Sequence, residues 1–95
     1  MTGTHAPVVL VTGASRGIGR AICERLAAQH VQLVIVARDD EALRALAAEV
    51  TAQGAPEPMV AAIDLADVDA VAAVFKQIFS QFGRLDGLVN NAGVL

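Results

Sequence analysis

A glycine-rich segment near the start of the chain has the residue types and spacing of a phosphate-binding turn. Its glycines, Gly13, Gly17 and Gly19, are spaced G-x-x-x-G-x-G within residues 12–19 and follow an apolar run. A dinucleotide's pyrophosphate binds close to the backbone at a helix N-terminus, where free N–H groups and about half a positive charge lie. A Cβ at Gly17 or Gly19 would obstruct that approach or the packing of helix on strand, and Ser15 offers a hydroxyl donor. The segment predicts dinucleotide binding, although glycines alone also fit an ordinary strand–helix turn.

Two arginines bear on which nicotinamide dinucleotide this turn would bind. An acidic residue about 20 positions after the glycines would hydrogen-bond the ribose 2′-hydroxyl of NAD. Here the second apolar run ends Val-Ala-Arg-Asp over residues 36–39, and the guanidinium of Arg38 suits a 2′-phosphate that a carboxylate would repel. Arg16, inside the glycine segment, can reach the same phosphate. We therefore predict NADP(H) rather than NAD(H). The alternatives are that both arginines are solvated surface groups, or that a strand end shifted by one residue brings Asp39 to the ribose.

Four short apolar runs and three helical patterns alternate along the chain and would position these residues. The runs are rich in β-branched residues and lack two-residue alternation, as in strands buried on both faces of a parallel sheet. They cover residues 8–11, 31–37, 59–63 and 85–90. Because β-α-β units cross over right-handedly in about 98% of cases, this order predicts an α/β fold with a partial, doubly wound parallel sheet of the Rossmann type.

Each helical pattern carries a start signal and an apolar stripe, and the third also carries a stop signal. The first is predicted to begin at Gly17, the second to be capped by Asp39 or Asp40, and the third to run from an Asp67 cap to Gly83. Their apolar stripes are predicted as follows: Ile18, Ile22 and Leu26 in the first helix, Leu43, Leu46, Ala47 and Val50 in the second, and Val71, Val74, Phe75, Ile78 and Phe82 in the third.

Length, composition and charge exclude several classes of protein. The 95 residues suffice for one small domain, and a net charge of −3 without Trp or Tyr argues against a nucleic-acid partner. The single cysteine, Cys23, cannot form an internal disulfide and is expected to be a buried apolar group. No His/Cys cluster has metal-ligand spacing, and no apolar run approaches the roughly 20 residues of a membrane span. Without a signal-peptide pattern, we expect a cytoplasmic location.

The glycine segment and three later segments together resemble the short-chain dehydrogenase/reductase family. Thr-Gly-Ala-Ser-Arg-Gly-Ile-Gly is similar to that family's cofactor-binding segment, and Asp64-Leu65, residues 85–89 and Asn90-Asn91-Ala92-Gly93 match it in order. The resemblance implies a sheet of strand order 3-2-1-4, and in this family basic residues at the positions of Arg16 and Arg38 mark NADP users. It also shows one departure, since His30 stands where the family often has a helix-ending glycine, so some helix-end stability is expected to be lost.

The resemblance also implies a set of cofactor contacts. The glycine segment would hold the pyrophosphate, the end of the second strand the 2′-phosphate, the end of the third the adenine, and the segment after the fourth the ribose side. The residues in that order are Gly13, Ser15, Arg16, Gly17, Ile18 and Gly19, then Arg38, then Asp64 and Leu65, and then Asn90, Ala92 and Gly93.

No catalytic residue is expected in this sequence. The family's hydride chemistry uses a Tyr-x-x-x-Lys pair further along the chain, and the sequence contains no tyrosine. We therefore interpret residues 1–6 as a short tail and residues 7–95 as a partial dinucleotide-binding domain, truncated after the fourth strand. The complete protein would be a homo-oligomeric, NADP-dependent oxidoreductase acting on carbonyls or alcohols. The alternatives are a free-standing nucleotide-binding module, or a non-catalytic partner that pairs its fourth strand with another chain.

Overall fold

The apolar runs form strands and the helical patterns form helices, in the order that the sequence predicts. The computed structural model describes residues 6–91. The elements are β1 Val8–Thr12, α1 Gly17–Ala28, β2 Gln32–Ala37, α2 Asp40–Ala52, β3 Met59–Ala62, α3 Val68–Phe82 and β4 Gly87–Val89. The predicted bounds of β2, β3 and β4 were too generous at one or both ends, most of all for β4, which has three residues rather than the six of 85–90.

The four strands form one parallel sheet of order β3-β2-β1-β4, which confirms the predicted topology. In the register of the central strands, Leu10 of β1 lies between Val34 of β2 and Leu88 of β4. The chain moves outward from β1 to β3 and then crosses back to β4 on the other side of β1. The carboxyl ends of β1 and β4 therefore flank the topological switch point, where open α/β sheets bind ligands.

The sheet is covered on both faces because neighbouring residues of its central strands point in opposite directions. On one face Val11, Leu33 and Ile35 pack against α1 and α2. On the other face Leu10 and Val34 pack against α3. Both central strands are thus buried on both sides, which is why their sequences are apolar throughout.

Helices α2 and α3 begin as predicted, and α3 also ends as predicted. Asp39 caps α2 by accepting a hydrogen bond from the Ala42 N–H, and Asp67 caps α3 by accepting one from the Ala70 N–H. Gly83 ends α3 with φ of 74°, a conformation that glycine adopts without strain. The predicted stripe of α2 is buried throughout, whereas in α3 only Val74 and Ile78 are buried and the other members are partly buried.

The apolar stripe predicted for α1 was partly wrong. Ile18 is 72% exposed, and the buried residues of this helix are Gly19, Cys23 and Ala27. Ile22 and Leu26 flank them and are partly buried against the same core. The reason is steric: α1 approaches the sheet along a line of small residues, which a stripe of large side chains would hold further away.

The end of α1 contains His30 at the position where the family resemblance predicts a glycine. His30 has φ of 62°, and it is the one non-glycine residue with positive φ among residues 6–91. The His30 N–H donates to the Ala27 carbonyl at 2.9 Å and the Val31 N–H to the Leu26 carbonyl at 3.2 Å. These two bonds form a Schellman motif, in which glycine is the usual left-handed residue. Within the described range, no helix has the length and hydropathy to cross a membrane.

Candidate dinucleotide-binding site

A cleft of about 720 Å³ lies at the carboxyl edge of the sheet. Six of the residues predicted to bind cofactor line it: Gly13, Ser15, Arg16, Arg38, Asp64 and Leu65. These residues follow β1, β2 and β3, so the parallel sheet brings together segments that are more than 50 residues apart in sequence. Gly17, Ile18, Gly19 and Asn90 do not line this cleft, and Ala92 and Gly93 lie outside the described residues.

The glycines of the loop after β1 are required for two different reasons. At Gly17, φ is 63° and an added Cβ would meet no protein atom within 4 Å, so the requirement is the left-handed backbone and not packing. At Gly19, an added Cβ would lie 2.0 Å from the Gly13 carbonyl oxygen and 2.6 Å from Asn91 Nδ2. Gly19 therefore lets α1 pack directly against the loop that forms the cleft wall, whereas the sequence predicted packing of the helix on a strand.

Helix α1 differs from the other two helices of residues 6–91 at its N-terminus. Its N-cap residue, Arg16, makes no side-chain hydrogen bond to the first turn, and the first turn contains no acidic residue. In α2 and α3 an aspartate fills that role, as described above. The first N–H groups of α1 thus lack a side-chain acceptor, and they carry the positive end of the helix dipole. An anion bound in the cleft beside Arg16 would satisfy them.

Thr12 joins the two loops at the switch point, a role that sequence reasoning missed. Thr12 is only 6% exposed, and its Oγ1 accepts a hydrogen bond from the Asn91 N–H at 2.9 Å. The hydroxyl also lies within donating distance of Asn90 Oδ1, at 3.1 Å, and of the Val89 carbonyl, at 3.4 Å. The end of β1 is thereby fixed to the segment after β4. One feature of the sequence could have indicated this role: β1 is apolar except for its last residue, which is Thr12.

The structure places Asn91, and not Asn90, in the cleft. Asn91 lines it and donates a hydrogen bond from Nδ2 to the Gly13 carbonyl at 3.4 Å. Asn90 faces a smaller apolar cleft of about 230 Å³ between the sheet and α3. In an extended segment successive side chains point to opposite sides, so a shift of one position decides which asparagine faces the cleft.

Two carboxylates and two guanidinium groups line the cleft, and they differ in their contacts with the rest of the protein. The carboxylate of Asp39 accepts the Ala42 N–H at 3.0 Å, and that of Asp64 accepts the Ala66 N–H at 2.9 Å. Arg16 and Arg38 form no ion pair with any residue of the described range, where the pairs involve other arginines. The cleft therefore presents two exposed guanidinium groups that are available to an anionic ligand.

Two other kinds of site, a metal centre and a nucleophilic cysteine, are not found among residues 6–91. No group of three or more His, Cys, Asp or Glu residues there is arranged to hold a metal ion. Cys23 is fully buried, and burial raises the pKa of its thiol to about 12. A thiol with that pKa remains protonated at neutral pH and does not act as a nucleophile, so the prediction of a buried apolar cysteine is confirmed.

Comparison with known proteins gives matches over nearly the whole chain. Residues 7–95 match the family model described as short chain dehydrogenase. The 3-oxoacyl-[acyl-carrier-protein] reductase FabG of Staphylococcus aureus is 45% identical over 86 residues, which are 90% of this chain and 35% of that protein. The 3-oxoacyl-[acyl-carrier-protein] reductase of Synechocystis is 42% identical over 95 residues, which are 99% of this chain and 38% of that protein. The chain thus spans little more than a third of the length of these relatives.

Two solved structures with bound dinucleotide are also similar. One is a metagenomic short-chain oxidoreductase in complex with NADP, with 48% identity and a TM-score of 0.87, covering 93% of this chain and 39% of that one. The other is the L-sorbose reductase of Gluconobacter frateurii complexed with NADPH and L-sorbose. It has 37% identity and a TM-score of 0.87, covering 97% of this chain and 35% of that one.

Proposed function

The chain belongs to the short chain dehydrogenase family, and we propose that it is the NADP(H)-binding portion of an oxidoreductase acting on a carbonyl or an alcohol. The observation that carries this proposal is the cleft that Arg16 and Arg38 line together, since Arg16 is also the N-cap residue of α1 and makes no side-chain cap there. The bound dinucleotide would supply or accept the hydride. The residues of this chain would bind and orient it.

The pyrophosphate would be bound at the start of α1. The N–H groups of the first turn have no side-chain acceptor, and Ser15 and Arg16 line the cleft beside them. The left-handed backbone of Gly13 and Gly17 shapes the loop. Gly19 then allows the helix to sit against that loop. Ile18, exposed at the same turn, would border the approach of the pyrophosphate.

The 2′-phosphate of NADP(H) would be bound by Arg38, with Arg16 near it. Both guanidinium groups are exposed in the cleft and neither forms an ion pair within residues 6–91. A guanidinium can donate two parallel hydrogen bonds to a phosphate. The metagenomic relative and the sorbose reductase are described with NADP and NADPH bound, which supports the same cofactor here.

The adenosine and the nicotinamide ribose would occupy the two sides of the switch point. Asp64 and Leu65 line the cleft after β3, and we assign them to the adenine. The segment after β4 would line the ribose side, with Asn91 in place of the predicted Asn90 and with the predicted Ala92 and Gly93. Thr12, through its hydrogen bond to Asn91, and Gly19, through its close approach to Gly13, would hold that segment at a fixed distance from the glycine loop.

Reduction or oxidation of a substrate would require residues beyond those of this sequence. The residues that we assign here bind the cofactor, and the sequence has no tyrosine to act as the family's acid–base group. We therefore propose that residues 7–95 are part of a larger catalytic domain, which forms homo-oligomers when complete. The intact mass of the protein made by its host separates this proposal from a free-standing module, and sedimentation separates both from a partner that pairs through β4.

Replacement of Arg38 by alanine tests the cofactor assignment. A hydrogen bond to a charged group contributes about 1.5–3 kcal/mol, so Arg38→Ala should weaken NADPH binding about tenfold to a hundredfold and leave NADH binding nearly unchanged. Arg25→Ala is the matched control, because Arg25 is exposed, lies in the last turn of α1 and does not line the cleft. An unchanged ratio of NADPH to NADH affinity in Arg38→Ala would overturn the assignment.

A further inference from the structure

Arg20 forms an ion pair that joins α1 to α2. Its Nη2 donates a hydrogen bond to Glu49 Oε1 at 2.6 Å, and its Nε lies 3.4 Å from Glu24 Oε2, one turn further along α1. The side chain of Arg20 is 30% exposed, against 50% for each glutamate. The other ion pairs of residues 6–91 lie within one helix or between residues two positions apart. Among those residues, the pair of Arg20 with Glu49 is therefore the one that connects two helices.

Both helices also contribute to the wall of the cleft, one or two turns away from this ion pair. Arg16 lines the cleft and lies four positions before Arg20, whose N–H donates to the Arg16 carbonyl at 3.4 Å. Ala42, in the first turn of α2, lines the cleft as well and lies seven positions before Glu49. Residues four or seven positions apart share one face of a helix. The facing sides of α1 and α2 thus carry the cleft at one end and the ion pair further along.

The apolar core restrains sliding of α1 only weakly. The buried residues of this helix are Gly19, Cys23 and Ala27, and side chains this small form shallow ridges for packing. A short, directional contact between two charged groups adds a restraint that small apolar side chains do not supply. Neither Arg20 nor Glu49 lines the cleft. They would therefore act on a bound dinucleotide through the positions of the two helices and not by contact with it.

We propose that Arg20 is a positioning residue that, through Glu49, fixes α1 against α2 and so sets the distance between the two phosphate sites of the cleft. One site is the start of α1, which we assign to the pyrophosphate, and the other is Arg38, which we assign to the 2′-phosphate. This inference rests on the proposed function, since it concerns the same cleft. A dinucleotide that reaches both sites gains affinity when their spacing already matches it, because less freedom is lost on binding. A ligand that reaches only one site gains nothing from that spacing.

The opposite charges of Arg20 and Glu49 allow a positional effect to be separated from a through-space electrostatic effect. Removal of a positive charge near the cleft weakens the binding of an anion, and removal of a negative charge strengthens it. A positional effect has the same sign in both cases, because either substitution breaks the same contact. Ion pairs as exposed as this one change an equilibrium by up to about fivefold, which sets the scale of the effect on affinity.

The test is titration of the protein, at the length that its host produces, with NADPH and with adenosine 2′-monophosphate. NADPH reaches both phosphate sites, whereas adenosine 2′-monophosphate carries only the phosphate of the Arg38 site. The variants are Arg20→Ala, Glu49→Ala, the two combined, and Arg20→Lys, which keeps a positive charge for Glu49. Arg44→Ala is the matched control, because Arg44 is exposed, pairs with Asp40 within α2 and does not line the cleft.

We expect Arg20→Ala and Glu49→Ala each to weaken NADPH binding about twofold to fivefold, with adenosine 2′-monophosphate binding changed by less than about twofold. The combined variant should lose no more than either single variant, Arg20→Lys should recover part of the loss, and Arg44→Ala should bind as the parent does.

Stronger NADPH binding by Glu49→Ala would show a through-space charge effect and overturn the positioning role of Arg20. Unchanged NADPH binding in Glu49→Ala would overturn it as well, and because Glu49 is half exposed on α2, this variant tests the pair even if Arg20→Ala does not fold. Either result leaves the proposed function intact. A parent protein that binds neither ligand would overturn both.

Discussion

Replacement of Gly19 by alanine should destabilise the protein, although the same change inside an ordinary helix stabilises it by about 0.5–1 kcal/mol. The new Cβ would lie 2.0 Å from the Gly13 carbonyl oxygen, and Cβ contacts under 3.0 Å are essentially never observed. The loop or the helix must therefore move by about 1 Å. Overpacking of this kind costs about 1–3 kcal/mol. After the helix-propensity gain is subtracted, the net loss is at most about 2.5 kcal/mol, which lowers Tm by up to about 20 °C.

The assay is chemical denaturation of the two proteins, followed by titration with NADPH. Because Gly13 and Asn91 both line the cleft, the displacement that costs stability should also weaken dinucleotide binding. Gly17 supplies the control: there an added side chain meets no protein atom, and the cost is the positive φ. Asparagine tolerates that backbone better than alanine, so Gly17→Asn should recover part of the loss of Gly17→Ala, whereas Gly19→Asn should recover nothing. An unfolding free energy for Gly19→Ala equal to or above that of the parent would refute the steric argument.

Three further changes test other contacts. His30→Gly should raise the unfolding free energy by about 0.5–1 kcal/mol, because it relieves a left-handed backbone penalty of about 1–2 kcal/mol at some cost in unfolded-chain entropy; an unchanged denaturation midpoint would contradict this. Thr12→Val should lower the unfolding free energy, measured by urea denaturation, by about 1–3 kcal/mol, since it leaves the Asn91 N–H without its acceptor. Thr12→Ser keeps the hydroxyl and should retain most of that stability. The pKa of Asp86 is lowered, chiefly by hydrogen bonding to Arg84. Its contribution to stability is therefore complete above the unfolded pKa near 4 and lost as pH falls through the folded pKa, and Asp86→Asn should remove that part of the acid dependence without changing the rest.

The fold could be predicted because its strongest determinants are local. The central strands are apolar at every position since both of their faces are covered, and that pattern is visible without any structure. The ends of α2 and α3 depend on single residues with local hydrogen bonds or a special backbone, Asp39, Asp67 and Gly83. The loop containing Gly13 and Gly17 likewise needs positive φ at both glycines.

The parts of the site that sequence reasoning missed depend on contacts between distant residues. Thr12 gains its importance from Asn91, which lies 79 positions away. The choice between Asn90 and Asn91 depends on where the short β4 ends, and the run of apolar residues overestimated its length. Ile18 was misplaced because helical periodicity gives the spacing of a stripe but not the distance at which the helix packs. In α1 that distance is set by the contact of Gly19 with the loop.

The most direct test of the cofactor assignment is to follow the amide NMR signals of the ¹⁵N-labelled protein during titration with NADPH. Binding as proposed should shift the signals of Gly13, Ser15, Arg16 and Gly17 at the start of α1, together with that of Arg38 after β2. The signals of α3, on the other face of the sheet, should move little. Saturating NADPH without shifts at the glycine loop, or with shifts confined to α3, would contradict the account.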